Sequence, residues 1–174
     1  ERGKYVSYAN CGLPYYIGGT IAERDKLFVQ TAQGFTARFN IDIRTEQEVT
    51  AIHPKEKTVE ITDINTARTY SENYDKLILS PGAEPLRPGI EGINSDKIFT
   101  LRNVPDTDTI KKYVSRSNPR HAVVVGGGFI GLEMAENLHQ LGIQVAVVEM
   151  ANQVMAPLDY SMAAIVHQQL TDKQ

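Results

Sequence analysis

Thirty residues, His121 to Met150, restrict the fold of this chain more than any other stretch. Ala122 to Val125 form an apolar run of strand length, three consecutive glycines follow, and Ile130, Met134, Leu138 and Leu141 then recur at the spacing of one helical face. A second apolar run, Val145 to Val148, ends on Glu149. The succession is a strand, a glycine turn, a helix and a second strand.

Gly126, Gly128 and Gly131 stand at the spacing in which the first permits a tight turn, the second lets a pyrophosphate approach bare backbone, and the third lets helix and strand pack closely. The helix that follows would point its free N–H groups and positive dipole end at the phosphates. Glu149 arrives 18 positions after Gly131, where a carboxylate can accept hydrogen bonds from a ribose 2'-hydroxyl. It would repel a 2'-phosphate, and no Lys or Arg follows until Lys173, so NADH is expected rather than NADPH. Glycines at this spacing alone are compatible with a flexible turn; the flanking strand, helix and acid make the dinucleotide reading specific.

The rest of the composition mainly excludes. A chain of 174 residues can bury about 70% of its unfolded surface as one domain and is too short for two complete ones. Its formal net charge of -3 offers no basic footprint for nucleic acid. No apolar run approaches the roughly 18 residues of a membrane helix, and no signal peptide opens the chain. A single cysteine rules out an internal disulfide and fits a reducing cytoplasm. The four histidines show no metal-ligand spacing, so no metal is expected. A start at Glu1 without methionine and an end inside an expected helix point to a fragment of a longer chain.

That single cysteine, Cys11, lies in Ser7-Tyr8-Ala9-Asn10-Cys11-Gly12-Leu13-Pro14-Tyr15-Tyr16-Ile17-Gly18-Gly19. Pro14 suits a first helical turn and the paired glycines end the segment. A helix N-terminus favours the nucleophilic form of a thiol, whereas a lone cysteine is also at home as a small buried hydrophobe. Spacing leaves both roles open.

On the Asn10-Cys11-Gly12-Leu13-Pro14-Tyr15-Tyr16 segment above all, and over nearly the whole chain, the sequence resembles the coenzyme A-disulfide and coenzyme A-persulfide (polysulfide) reductase branch of the FAD-dependent pyridine nucleotide-disulfide oxidoreductases. The resemblance implies that Cys11 forms a mixed disulfide with coenzyme A and is reduced by NADH through FAD, acting on a small-molecule thiol or disulfide. Dithiol relatives carry a second cysteine five positions on, where this chain has Tyr16. It also implies that Ser7 and Asn10 line the coenzyme A and flavin site, that Glu1 holds the adenosine ribose of FAD, that backbone near Val49 meets the adenine, and that the parent is a homodimer. Ser80-Pro81-Gly82-Ala83 resembles the second flavin loop, with Pro81 in place of the usual threonine and so without its hydroxyl or N–H. Arg102 matches a position near the flavin and Glu133 one near the nicotinamide.

Each of these residues has a plainer role available to it. Glu1 could be a solvated terminal charge, Val49 a core valine, Arg102 a surface charge and Glu133 part of a polar helix face. Two other functions also remain open: an NADH oxidase or peroxidase working through a cysteine sulfenic acid, and a nucleotide-binding fragment without catalysis. Oxidase and peroxidase relatives usually have serine before the cysteine and lack Leu-Pro-Tyr-Tyr, so Asn10 and Pro14-Tyr15-Tyr16 favour a thiol substrate.

The expected fold class is α/β: parts of two Rossmann-like domains, residues 1–98 FAD-binding, with the redox cysteine and a small antiparallel meander, and 99–174 NAD-binding. Thr31 should cap a short helix through Phe35 and Phe39. Ile41 to Ile43, Glu48 to Ile52 and Val59 to Ile61 alternate as strands of the meander, which should end near Tyr70. Tyr74 to Leu79 reads as another strand, and Asn103 and Pro105 as the start of a helix running to about Ser115. After Pro157-Leu158-Asp159 a last helix should bury Met162, Ile165, Val166 and Leu170.

Overall fold

The computed structural model describes residues 1–172; Lys173 and Gln174 lie outside the described residues. In chain order it contains β1 (Ser7–Tyr8), α1 (Leu13–Gly18), β2 (Phe28–Gln30), α2 (Ala32–Phe39), β3 (Gln47–His53), β4 (Thr58–Asp63), β5 (Thr69–Asn73), α3 (Val104–Ser117), β6 (His121–Val125), α4 (Phe129–Gln140), β7 (Gln144–Val148) and α5 (Tyr160–Asp172). The α/β class and the fragmentary Rossmann pattern are both present. Packing groups Glu1–Ala9 with Phe28–Pro88, and Asn10–Leu27 with the residues from Gly89 onward. This partition differs from a break at residue 98, because α1 packs on α3 and α4.

The first unit is built on the meander. β3, β4 and β5 pair antiparallel in sequence order, Val49 opposite Ile61 and Ile61 opposite Tyr70, with a register shift between Val49 and Ala51. Ile41 to Ile43 is not a strand, and the meander ends at Asn73 rather than Tyr70. β1 and β2 make a separate two-stranded antiparallel pair, and Tyr5 stacks on Phe28 with centroids 4.8 Å apart. Thr31 caps α2 as expected, its hydroxyl accepting from the Gly34 N–H at 3.0 Å. Tyr74 to Leu79 is not a strand either: the segment is irregular, and Ile78 is 86% exposed. An apolar run becomes a strand only where another strand satisfies its N–H and C=O groups, and no such neighbour pairs with it among the described residues.

The second unit is a β-α-β crossover with three further helices. β6 and β7 pair parallel, His121 opposite Gln144 through Val125 opposite Val148, and α4 connects them. One face of this pair, Val124 and Val145 included, meets a core of Ile17, Ile110, Met134, Leu138 and Ile143. α3 starts on a full capping box: Asn103 accepts from the Asp106 N–H at 2.9 Å and Asp106 accepts from the Asn103 N–H at 3.3 Å. It runs to Ser117, two residues past the expected end.

Two helical stripes differ from the sequence pattern. On α4, Met134, Ala135 and Leu138 are buried, but Ile130 is 59% and Leu141 43% exposed. Ile130 belongs to the first turn, beside the open glycine bend, and Leu141 lies beyond the last helical residue. On α5, Ala163 is buried while Met162 and Ile165 are more than half exposed, so the helix meets its unit through a small residue.

Candidate functional site

Three glycines make the bend between β6 and α4, each for a separable reason. Gly126 has φ 106, a conformation that side-chain-bearing residues rarely adopt. A Cβ on Gly131 would run directly into the carbonyl oxygen of Gly126, so this glycine is what lets α4 start so close to β6. A Cβ on Gly128 would meet nothing within 4 Å. The fold itself would accept alanine there, and the bare surface faces open space at the N-terminus of α4, where the first N–H groups lack intrahelical acceptors. That is the shape and polarity a pyrophosphate requires.

Glu149 closes the other side of the bend. Its Oε2 accepts from the Gly127 N–H at 2.6 Å and its Oε1 from the Ala151 N–H at 2.8 Å. These bonds, Ala151 foremost, then Gly127 and Met150, hold its carboxyl below the usual range, so it stays ionised at neutral pH. An ionised carboxylate offers about four lone-pair positions, so acceptor capacity remains for sugar hydroxyls. Gly127 itself is missed by the three-glycine spacing, yet its N–H is the one that takes the carboxylate. A Cβ on it would press against Val154 at 2.8 Å. The run of three glycines in the sequence was the available signal.

Cys11 is exposed, not buried among aliphatic side chains. It sits in a 3-10 turn, Asn10–Gly12, that leads directly into α1, with Pro14 in the first turn and Gly19 ending the helix at φ 89. Two polar clamps hold this segment. Lys111 on α3 donates to the Tyr16 carbonyl oxygen and lies 4.2 Å from the Tyr16 ring centroid. Arg24 makes a bidentate pair with Asp108, Nε to Oδ1 at 2.9 Å and Nη2 to Oδ2 at 2.7 Å. Neither clamp was legible in advance, because each joins residues more than 80 positions apart.

In the first unit, Glu1 and Val49 line one depression of about 360 Å³, together with Asp42, Arg44, Gln47, Ile61, Tyr70 and Glu72. Val49 is 53% exposed, which overturns the core-valine alternative. The Glu1 carboxylate accepts from the Gly3 N–H at 2.6 Å, the same bond to the residue two positions on that Glu149 makes with Ala151. Arg44 is fixed in the depression by Glu72 at 2.6 Å and Asp42 at 2.8 Å.

The remaining expected residues are placed as follows. Ser7 is half-buried in β1 opposite Gln30, and Asn10 is exposed beside Cys11. Ser80 and Gly82 are exposed on irregular backbone, Gly82 at φ 76. The Arg102 N–H donates to Asp106 at 2.9 Å, and Glu133 is half-buried on α4. Among the described residues no group of three or more His, Cys, Asp or Glu could hold a metal, and no helix is long and apolar enough to cross a membrane.

The family model of the pyridine nucleotide-disulphide oxidoreductases matches residues 1–174. The chain belongs to the pyridine nucleotide-disulphide oxidoreductases. Within this family it is 38% identical, over 99% of its own length and 39% of the relative's, to the coenzyme A disulfide reductase of Staphylococcus haemolyticus. The crystal structure of reduced Bacillus anthracis CoADR-RHD superposes with a TM-score of 0.96 at 59% identity, covering 99% of this chain and 31% of that one. A NAD-dependent persulfide reductase from A. fulgidus superposes at 0.92 and 39% identity, covering 99% and 33%. The chain thus spans about two-fifths or less of the length of these pyridine nucleotide-disulphide oxidoreductases.

Proposed function

We propose that the protein containing this chain is an NADH-dependent flavoprotein that reduces coenzyme A disulfide, persulfide or polysulfide through Cys11. The observation that carries this reading is the exposed Cys11, on the turn that leads into α1, in the same unit as the glycine bend. In this reading residues 1–98 belong to an FAD-binding domain and 99–174 to an NAD-binding domain. Bound FAD and NADH supply two electrons per turnover.

The chain's own part is as follows. The Cys11 thiolate attacks one sulfur of the substrate disulfide; a sulfur–sulfur bond to Cys11 forms, the substrate bond breaks, and one thiol leaves. Two electrons and a proton then cleave the mixed disulfide, releasing the second thiol and restoring the Cys11 thiolate. One NADH and one proton therefore convert one disulfide into two thiols. Tyr16, where dithiol relatives have their second cysteine, cannot supply a resolving sulfur, so the partner sulfur comes from the small molecule.

Gly126, Gly128 and Gly131 cradle the NADH pyrophosphate, Glu149 accepts from its ribose, and Glu133 lies toward the nicotinamide. Glu1 and the backbone at Val49 serve the adenosine end of FAD, supported by their shared depression. Ser7, Asn10, Ser80, Gly82 and Arg102 complete the flavin and coenzyme A contacts. A homodimeric parent and a reducing, cytoplasmic setting belong to the same reading.

The test is mass spectrometry and turnover on the full-length protein. Purified without reductant, it should carry a coenzyme A adduct on Cys11 that NADH removes, and Cys11→Ser should abolish turnover of coenzyme A disulfide and persulfide. Faster NADH consumption with peroxide than with either sulfur substrate would overturn the reading in favour of a peroxidase.

A further inference from the structure

The connection between β7 and α5 reaches back to the glycine bend by a hydrogen bond of its own. The Met155 N–H donates to the Gly127 carbonyl oxygen at 2.8 Å, while the Gly127 N–H donates to Glu149 at 2.6 Å. Val154 and Met155 are both buried, and Val154 Cγ1 bears directly on the face of Gly127. Met155 is held at φ 53, a conformation that residues other than glycine and asparagine seldom adopt without outside support. Leu158 gives part of that support, its N–H donating to the Met155 carbonyl oxygen at 2.8 Å.

His167 on α5 holds Val154, the residue before Met155. Its Nε2 accepts from the Val154 N–H at 3.0 Å. An imidazole nitrogen accepts through its lone pair, as a carboxamide oxygen can, so removing the ring leaves that N–H without its side-chain partner.

We propose that His167 is a positioning residue for the dinucleotide site: its bond from the Val154 N–H locks Val154 and Met155 onto Gly127 and so fixes the Gly127 N–H on Glu149. The proposal rests on the NADH reading given above. It makes dinucleotide affinity depend on a hydrogen-bond acceptor at position 167.

NAD⁺ binding to the full-length protein, measured by calorimetry, tests this without turnover. His167→Leu, which cannot accept, should bind about tenfold more weakly than wild type, in line with one lost hydrogen bond at a positioned site. His167→Gln, whose side-chain carbonyl can accept at the Nε2 position, should restore the wild-type affinity. Amide exchange at Gly127 should be faster in His167→Leu than in wild type or His167→Gln.

If wild type binds NAD⁺ and all three proteins share one affinity and one Gly127 exchange rate, the role of His167 is overturned while the nucleotide site stands. If wild type binds no NAD⁺, the nucleotide reading itself fails and takes this role with it.

Discussion

Glu149 accepts the Gly127 N–H at 2.6 Å, so the acid at the end of β7 is anchored to the bend it faces. Removing it acts on both partners. Glu149→Ala leaves the Gly127 and Ala151 donors without their acceptor and, in the proposed reading, strips the site of its ribose acceptor. Hydrogen bonds to a charged group contribute about 1.5–3 kcal/mol each, so NADH affinity should fall at least about tenfold. Discrimination against NADPH should shrink with it, since the repelling charge is gone. Equilibrium titration of both nucleotides measures this; an unchanged affinity ratio would remove Glu149 from the ribose.

The same carboxylate sets an acid limit. Its folded pKa lies below the ordinary 4.5 through the backbone bonds from Ala151, Gly127 and Met150. Between that lowered value and 4.5 the unfolded chain binds more protons, so stability rises with pH, and the contribution is lost as pH falls from 4.5 through the folded value. The Tm difference between wild type and Glu149→Gln should be constant above about pH 5.5 and shrink below 4.5. Asp63, whose carboxyl is also held low by Thr66 and Gln47, titrates in both proteins and cancels in the difference.

Gly128→Ala and Gly131→Ala separate binding from folding. The first adds a methyl where nothing lies within 4 Å, on extended backbone at φ -82 and ψ -174, so Tm should hold while NADH affinity drops sharply. The second drives a Cβ into the Gly126 carbonyl and should cost about 1–3 kcal/mol or more. Thermal unfolding with and without NADH reads both. A large Tm loss in Gly128→Ala would mean the space beside it is not free for a ligand.

These glycines show where the sequence was legible. The bend, Thr31 and Asn103 are local: spacing, cap chemistry and the direction of the next few residues determine them within one or two turns of chain. Tyr74 to Leu79 reads as strand equally well by local rules, but strand formation depends on a distant partner that pattern cannot supply. Ile130 shows the same limit in reverse, since it fits the helical stripe yet lies beside the open bend. Nothing in residues 149–159 marks Met155 for a positive φ, and only the fold reveals Val154 and His167 as neighbours.

The Arg24–Asp108 pair fastens the segment that follows Cys11 to α3. Both side chains are about one-third exposed, at 32% and 37%, so solvent screening limits its worth to about 1 kcal/mol despite bidentate geometry. Asp108→Ala should therefore lower global stability only slightly, yet raise amide exchange selectively across Asn10–Leu27. Exchange unchanged in that segment would show that packing of α1 alone holds it.

Asn137 on α4 is buried with one polar atom unpaired among the described residues. The side chain is fully buried; its Nδ2 donates to the Glu133 carbonyl oxygen at 2.8 Å, while its Oδ1 has no hydrogen-bond partner among the described residues. Rotating the amide would set Oδ1 against the Glu133 oxygen and lose the one bond it has. Gly18 of α1 faces that oxygen so closely that an added Cβ would collide with it. The two residues thus form a contact in which the helix after Cys11 approaches α4 through bare backbone. Gly18→Ala alone should destabilise by about 1–3 kcal/mol, because the collision outweighs the gain in helix propensity. Asn137→Ala removes the unpaired acceptor but opens space and forfeits the bond to Glu133, so its own effect should be smaller than that of a typical buried truncation. In the double variant the new methyl group enters the vacated space, and the combined loss should fall below the sum of the two by about 1–2 kcal/mol. Denaturant unfolding of the four proteins gives that coupling directly, and strict additivity would show that Gly18 and Asn137 do not determine how closely α1 sits on α4.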